Sequence, residues 1–274
     1  MDSKGVEVVL NYKDDWNGLH WNLGTTFSYA TNEIIEIDEP ADVSDLMKKE
    51  GRAYGTRFGY LSNGLFQSQE EIDSWAIQDN NDNSSLQPGD IRYVDISGPE
   101  GVPDGKIDGD DRTVIGKVAQ PEIIYGINFS LSYKGFGLTT NWQGAANYEK
   151  QHRLASFINN GNNIKELNDS WSPENRDAKY PRLGVGMPVN NDKNTDFWMV
   201  DASYLRLKNL TFEYNLNSSK LQNYLNISSV RFFFTGTNLL TFSAVDYLDP
   251  DGPANPTPFY PVMKSYSMGV NIIF

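Results

Sequence analysis

The sequence of 274 residues has no cysteine, only two histidines and no long apolar run. Without cysteine, a disulfide-stapled scaffold is excluded. A helical membrane span needs about twenty consecutive apolar residues, so the sequence excludes that as well. The absence of a long apolar run does not exclude membrane β-strands, because they alternate apolar and polar residues. These absences leave a globular domain and a membrane barrel open.

Basic residues are also scarce, with 23 Lys and Arg against 36 Asp and Glu and a formal net charge of −13. Nucleic-acid binding needs a basic surface that displaces counterions from phosphates, so we predict no nucleic-acid partner. The hydrophobic content of 39% is enough for a sizeable core, which disfavours disorder.

Catalytic signatures are missing too. His20 and His152 lie far apart, neither has a second histidine or cysteine at metal-ligand spacing, and the sequence has no Gly-x-Ser-x-Gly or phosphate-binding loop. Abundant carboxylates leave an acidic Ca²⁺-dependent hydrolase open, although loop carboxylates usually only solvate a surface. We therefore predict that the protein is not an enzyme.

Seven segments alternate apolar and polar residues with the period of two that is typical of β-strands. In 122–134, for example, Ile127, Phe129 and Leu131 alternate with asparagine and serine. The apolar phase changes between Leu207 and Leu210, which predicts a β-bulge there. The predicted strands are 5–13, 18–29, 122–134, 136–147, 203–214, 229–240 and the segment ending at 274.

The connections between these segments alternate in length. Short connections follow the first and third strands and a moderate one, 215–228, follows the fifth, whereas long loops cover 32–121, 148–202 and 242–263. Short turns at one end and long loops at the other are typical of outer-membrane barrels. The loop 32–121 carries 19 acidic and 8 basic residues, hence −11 of the net charge, which suits a position outside the membrane. The sequence thus predicts an all-β fold of about seven antiparallel strands from a large transmembrane β-barrel, with long extracellular loops.

The last segment ends in an aromatic residue without a polar tail, as outer-membrane barrels commonly do. We predict that its alternating residues form a barrel-assembly signal read by the barrel-assembly machinery. These residues are Tyr266, Met268, Val270, Ile272 and Phe274.

Several stretches, in order along almost the whole chain, resemble the SusC/RagA branch of TonB-dependent outer-membrane transporters, which are common in Bacteroidetes. The matching stretches are Gly59-Tyr60, 64–72, 89–95, 104–108, 111–116, Tyr125-Gly126, 132–136, 203–210, 237–241 and the closing strand.

The resemblance implies that residues 1–274 are the C-terminal segment of a barrel of about 22 strands in the outer membrane. A signal peptide and the plug domain of the family are absent from the sequence, so we expect a fragment that does not transport alone. A complete protein of this family would import glycans or peptides with energy from the TonB complex, and a SusD-like surface lipoprotein would be its partner. The alternative from the alternation pattern is a secreted, soluble β-sandwich that binds carbohydrate.

Two candidate sites follow from residue type and position. Aromatic, amide and charged side chains near the outer strand ends predict a ligand site, although Trp142 could face lipid and Trp198 could pack a loop core; the candidates are Trp142, Gln143, Asn147, Trp198, Tyr204 and Arg206. The acidic loop contains the second half of an EF-hand-like pattern, which predicts either a Ca²⁺ site or a solvated turn. Its candidate ligands are Asp95, Asp104, Asp108 and Asp111.

A short helix-like stretch, 69–78, also offers Ile72 and Trp75 as a small apolar face. Packing within the loop is one interpretation of this face, and docking to the lipoprotein is the other.

Overall fold

The computed structural model describes residues 1–152, 165–184, 188–217, 223–224, 226–245, 249–252 and 262–274. Its main feature is one sheet of seven long antiparallel strands. These are β1 (Asp2–Trp16), β2 (Leu19–Glu33), β7 (Ile123–Tyr133), β8 (Phe136–Ala146), β11 (Tyr204–Leu216), β12 (Ser229–Ser243) and β13 (Ser265–Ile273). All seven predicted strands are confirmed, and several extend further than the alternation indicates.

The strands lie in the order β1-β2-β7-β8-β11-β12-β13, so every neighbour in the sheet is also the next long strand along the chain. Tight turns join β1 to β2 and β7 to β8. Left-handed backbone at Asn17-Gly18 and Lys134-Gly135 makes these two-residue turns possible. The predicted segregation of short and long connections to opposite ends therefore holds.

The two faces of the sheet differ sharply in polarity. One cross-strand row runs through Trp21, Leu131, Leu138, Phe212, Phe234 and Met268. The adjacent row, on the opposite face, runs through Lys13, Asn22, Ser130, Thr139, Thr211, Thr235 and Ser267. Many residues of the apolar face are exposed, including Phe212 at 47% and Met268 at 84%. Such a sheet needs either protein packing or an apolar solvent on one side and water on the other.

The predicted bulge is confirmed in β11. Its register with β8 and with β12 shifts between Leu207 and Asn209. The extra residue lets Leu207 and Leu210 share the apolar face although they are three positions apart. In β12 the compensating irregularity contains Asn238 with a left-handed backbone, a conformation that asparagine tolerates better than most residues.

The long loops contain their own short elements. These are β3 (Phe58–Gly59), β4 (Ser62–Leu65), α1 (Gln69–Asp73), β5 (Ile91–Tyr93), β6 (Thr113–Val114), β9 (Glu149–Gln151) and β10 (Met199–Asp201), with 3-10 turns at Gly109–Asp111, Lys165–Asp169, Val189–Asp192 and Asp196–Trp198. In the described part of the chain, α1 is a single turn or so, and none of the helices could span a bilayer.

The first two long loops pack together around one hydrophobic core, which we call the loop body. The core consists of Leu65, Ile91, Tyr93, Ile107, Leu167, Tyr180 and Trp198. Helix α1 contributes to a second, smaller cluster, in which Ile72 is fully buried against Phe66 and Leu86. Trp75 packs against both clusters. The apolar face predicted in 69–78 therefore serves packing within the loop. The sequence analysis indicates packing for Ile72, Trp75 and Trp198 but does not predict the rest of this core, because the apolar residues of the loops follow no regular period.

Candidate functional site

A buried polar network joins the two loops of the loop body. The Gln78 side chain donates to the Ile91 carbonyl and to Asn190 Oδ1, both at 2.8 Å. Asn191 Oδ1 accepts from the Ile91 amide at 2.8 Å, while Asn191 Nδ2 donates to Asp90 Oδ1 at 2.9 Å. These side chains are nearly or fully buried, so each satisfied bond avoids a desolvation cost of about 1–3 kcal/mol. The network fixes how the loops sit on each other.

Two cations reinforce this junction. Arg182 forms an ion pair with the buried carboxylate of Asp90, with a 2.7 Å distance from Nε to Oδ1. Lys193 Nζ lies 5.2 Å from the ring centres of both Tyr60 and Tyr93 and donates to the Gln78 carbonyl at 2.6 Å. Burial lowers the pKa of Lys193. Both cations thus hold the loop body together.

Where the sheet meets the loops, Arg206 lies on the polar face of β11 and is only 2% exposed. Its Nη2 atom is 2.6 Å from Asp249 Oδ1, and its Nε donates to Thr241 Oγ1 at 3.1 Å. Gln143 is its register partner in β8, and Tyr204 is two residues away on the same face. These residues line the polar face of the sheet at the end where the strands meet the long loops, which we call the outer rim.

The same rim holds the turn 249–252, to which Asp249 belongs. Lys150 Nζ donates to the carbonyl of Pro250 at 2.6 Å and to that of Gly252, and the Tyr148 hydroxyl donates to the Pro250 carbonyl at 3.0 Å. Burial lowers the pKa of Lys150 and raises that of Tyr148. Two buried cations, Arg206 and Lys150, therefore converge on one turn.

A cavity of about 150 Å³ lies beside this rim, lined by His152, Tyr180, Trp198, Met199 and Val245 among others. His152 is 3% exposed. Burial lowers the pKa of His152 to about 4, with further contributions from Lys150 and Arg57. The imidazole is therefore neutral at physiological pH.

The predicted Ca²⁺ ligands do not form a cluster. Among the described residues, no three histidine or carboxylate groups lie close enough to hold a metal ion. Asp111 is fully buried and accepts from the amides of Ile96, Ser97 and Asp108 at 2.8–3.1 Å. Asp95 accepts from the Gly105 amide at 2.7 Å, and burial raises the pKa of its carboxyl. These two carboxylates organise the backbone of the turn, while Asp104 and Asp108 cap it locally.

The predicted ligand residues divide into separate groups. Trp142 faces the apolar side, in register with Ile127 and Leu207. Trp198 is buried in the loop core and donates to the Asn191 carbonyl, and Asn147 donates to Glu122. Only Gln143, Tyr204 and Arg206 lie together at the rim.

Sequence reasoning missed Tyr148, Lys150 and Asp249 at this rim. The Asp-Pro-Asp-Gly run at 249–252 is a turn signal. Nothing in the sequence pairs it with a lysine 100 residues earlier.

Comparison with known proteins gives relatives over the whole chain, although no protein-family model matches. TonB-dependent receptor P3 of Formosa agariphila is 27% identical over all of this chain and 29% of the receptor. Receptor P26 of the same species is 29% identical over 92% of the chain, and SusC of Bacteroides thetaiotaomicron is 23% identical over all of it. The chain is a relative of the SusC/RagA TonB-dependent receptors. As in those receptors, its location is the outer membrane, as predicted.

The fold agrees with this relationship. The structure of the RagAB peptide importer in the open-open state matches 99% of the chain with a TM-score of 0.71 and 20% identity. The matched part is 28% of that importer chain, and the chain spans less than a third of the receptors named above. The seven strands are therefore one sector of a barrel fold.

Proposed function

We propose that the chain is the C-terminal barrel segment of an outer-membrane transporter that imports oligosaccharides or peptides, and that it is not an enzyme. The observation that carries this proposal is the sheet itself, in which an apolar and a polar row cross the same strands on opposite faces. The relationship to TonB-dependent receptors supports it. The strands β1 and β13 each have a single neighbour in the sheet, so the segment does not transport without further strands.

The proposed partners follow from the same relationship. A SusD-like surface lipoprotein would cover the extracellular loops, and the TonB complex would act through a part of the protein outside this chain. The barrel-assembly machinery would read the final strand.

The soluble β-sandwich is disfavoured because it would need a second large sheet to cover the apolar face. A sandwich buries that face under a second sheet about 10 Å away. In the described ranges, the other sheets have only two short strands each.

Two experiments test the proposal. Sequencing the DNA around the coding region should reveal plug and barrel sequence upstream and a SusD-like gene nearby; an independent promoter directly before Met1 would contradict fragment status. Deleting the coding region in the host should abolish uptake of one class of labelled oligosaccharide or peptide, with and without a protonophore as the energy control. Unchanged uptake of both classes would refute the transport function.

A further inference from the structure

The polar face of the sheet has a central band without charged side chains. The band consists of two adjacent cross-strand rows on β2, β7, β8, β11, β12 and β13, and we call it the neutral wall. One row is Asn22, Ser130, Thr139, Thr211, Thr235 and Ser267. The other row is Gly24, Asn128, Asn141, Asn209, Thr237 and Ser265. Charged residues make up 22% of the chain, yet none lies in these rows, so the wall presents hydroxyl and amide groups.

Charged side chains border the neutral wall. Towards the tight turns, Arg231 Nε donates to Glu213 Oε2 at 2.7 Å, and towards the outer rim Arg206 pairs with Asp249 at 2.6 Å. Two lysines lie at the β1 end of the first row and in the bulge of β11; these are Lys13 and Lys208. A charged solute that leaves water to contact the wall therefore meets no charge of opposite sign within the two rows.

The groups of the wall bond to each other as they would bond to a solute that carries hydroxyl groups. Asn141 Nδ2 donates to Asn128 Oδ1 at 2.6 Å, and the hydroxyls of Thr237 and Ser265 are 2.5 Å apart. Side-chain hydroxyls and amides both donate and accept, and so do the hydroxyls of a sugar. A sugar can therefore exchange with these bonds at many equivalent positions. Passage through a pore requires such weak binding at successive positions.

An aromatic ring borders the wall towards the tight turns. Phe233 lies on the polar face of β12, in register with Glu213 and Gly269. A Cβ atom on Gly269 would lie 2.5 Å from Cζ of the ring, so the ring extends over β13 because the residue there is glycine. Phe233 is half-buried, and on the polar face it has no lipid to contact. Its ring offers a flat apolar surface to the apolar face of a sugar.

We propose that the neutral wall lines the path of an uncharged oligosaccharide, and that Phe233 stacks with one of its sugar rings. This inference rests on the proposed transport function and narrows its substrate class. A peptide brings ionised termini and an acidic glycan brings carboxylates, and the wall has no charge that compensates for their lost hydration. The competing occupant of the wall is another part of the same protein, the plug domain that the family resemblance implies.

Uptake by the host tests the substrate class. The probes are labelled hexasaccharides of glucose, mannose and xylose, together with hexagalacturonate and penta-alanine with free termini, each supplied to wild type and to a deletion strain. We expect deletion to abolish import of at least one neutral hexasaccharide and to leave import of both charged probes unchanged. Loss of a charged probe, alone or beside a neutral one, would overturn the proposal and leave the transport function standing. Unchanged import of every probe would refute both.

Two paired substitutions in the full-length protein test the wall itself. N128D/N209D places two carboxylates on the wall in nearly the same volume and should lower import of the neutral hexasaccharide about 5-fold or more, because ionised groups hold their water. N128S/N209S is the matched control, since it keeps the wall neutral and should preserve import at equal amounts of protein in the outer membrane. Equal import by the two variants would overturn the proposal, and a lower melting temperature of N128D/N209D beside it would assign the wall to packing against the plug.

A third variant tests the aromatic ring. Phe233→Leu keeps an apolar side chain but removes the ring, and should raise the KM of import about 3- to 10-fold. Phe232→Leu is the control, because Phe232 is the adjacent residue on the apolar face and is 45% exposed there. A KM that is the same in both variants would overturn the stacking role of Phe233.

Discussion

At the scale of single residues, Gly59 shows how a missing side chain brings two distant loops together. A Cβ atom on Gly59 would lie 2.3 Å from the backbone oxygen of Asn194. That same oxygen accepts a hydrogen bond from the Tyr60 amide at 2.8 Å. The contact joins β3 to the second long loop, so its geometry depends on glycine.

We predict that Gly59→Ala destabilises the loop body by about 1–3 kcal/mol, because the clash is with backbone and cannot relax through a rotamer. Hydrogen exchange of amides 91–93 and 190–198 should quicken accordingly. Gly109→Ala is the control, since a Cβ there meets no atom within 4 Å. Equal exchange in the two variants would contradict this role of Gly59.

Asp111 is the residue on which the acidic turn depends. Its side chain holds three backbone amides, so Asp111→Ala should lower the stability of the loop body by about 2–4 kcal/mol. Asp110→Ala, at an exposed neighbouring position, should have little effect. A chelator should leave the melting temperature unchanged, and a melting temperature that Ca²⁺ raises would show that the turn does bind a cation.

His152 should make the stability of the loop body depend on pH. Its pKa in the folded protein is about 4, below its ordinary value of 6.5, so the unfolded chain binds a proton more readily. The stabilisation from neutral His152 is complete above pH 6.5 and is lost as pH falls from 6.5 to 4, by at most about 3 kcal/mol. The difference in urea midpoint between wild type and His152→Gln should shrink over this range. A constant difference would show that His152 does not titrate in this way.

At the scale of elements, the bulge in β11 accommodates one extra residue, and the apolar residues on either side of it still lie on the same face of the strand. Leu205, Leu207, Leu210 and Phe212 all lie on the apolar side only because one extra residue lies between Leu207 and Leu210. In the regular part of the strand, removing one residue turns every later side chain to the opposite face.

We therefore predict opposite outcomes for two single deletions. Deletion of Thr211 should move Phe212 and Tyr214 to the polar face and prevent assembly of the full-length protein in the outer membrane. Deletion of Lys208 removes the extra residue and preserves the alternation, so assembly should persist. Comparing the electrophoretic mobility of heated and unheated samples distinguishes the folded from the unfolded barrel. Equal assembly of the two deletion variants would contradict the register argument.

At the scale of the whole molecule, the final strand lies at one edge of the sheet and presents Tyr266, Met268 and Phe274 with at least 64% exposure. We predict that Phe274→Ser in the full-length protein reduces its amount in the outer membrane several-fold, because it removes the terminal aromatic of the proposed assembly signal. Ile273→Ser, on the opposite face of the same strand, is the control. Normal surface levels of the Phe274 variant would count against the signal.

The sheet could be predicted from the sequence because the residue pattern of each strand indicates its conformation. Alternation over ten or more residues shows the strand, its two faces and the bulge after Leu207 without reference to any partner. Since each long strand pairs with the next one in the chain, the order in the sheet also follows. The resemblance of the motifs pointed to TonB-dependent receptors, and the chain is similar to such receptors over its whole length.

The loop body and the rim site were decided only by the tertiary structure. Asn191 and Asp90 are 101 residues apart, and Lys150 and Pro250 are 100 apart, so no local pattern links them. Irregular loops carry their apolar residues without a period, and a carboxylate looks the same in sequence whether it binds a metal, a backbone amide or an arginine. The alternation that predicts strands is a local property of the sequence. The partners of buried polar groups depend on contacts between loops that are distant in the sequence.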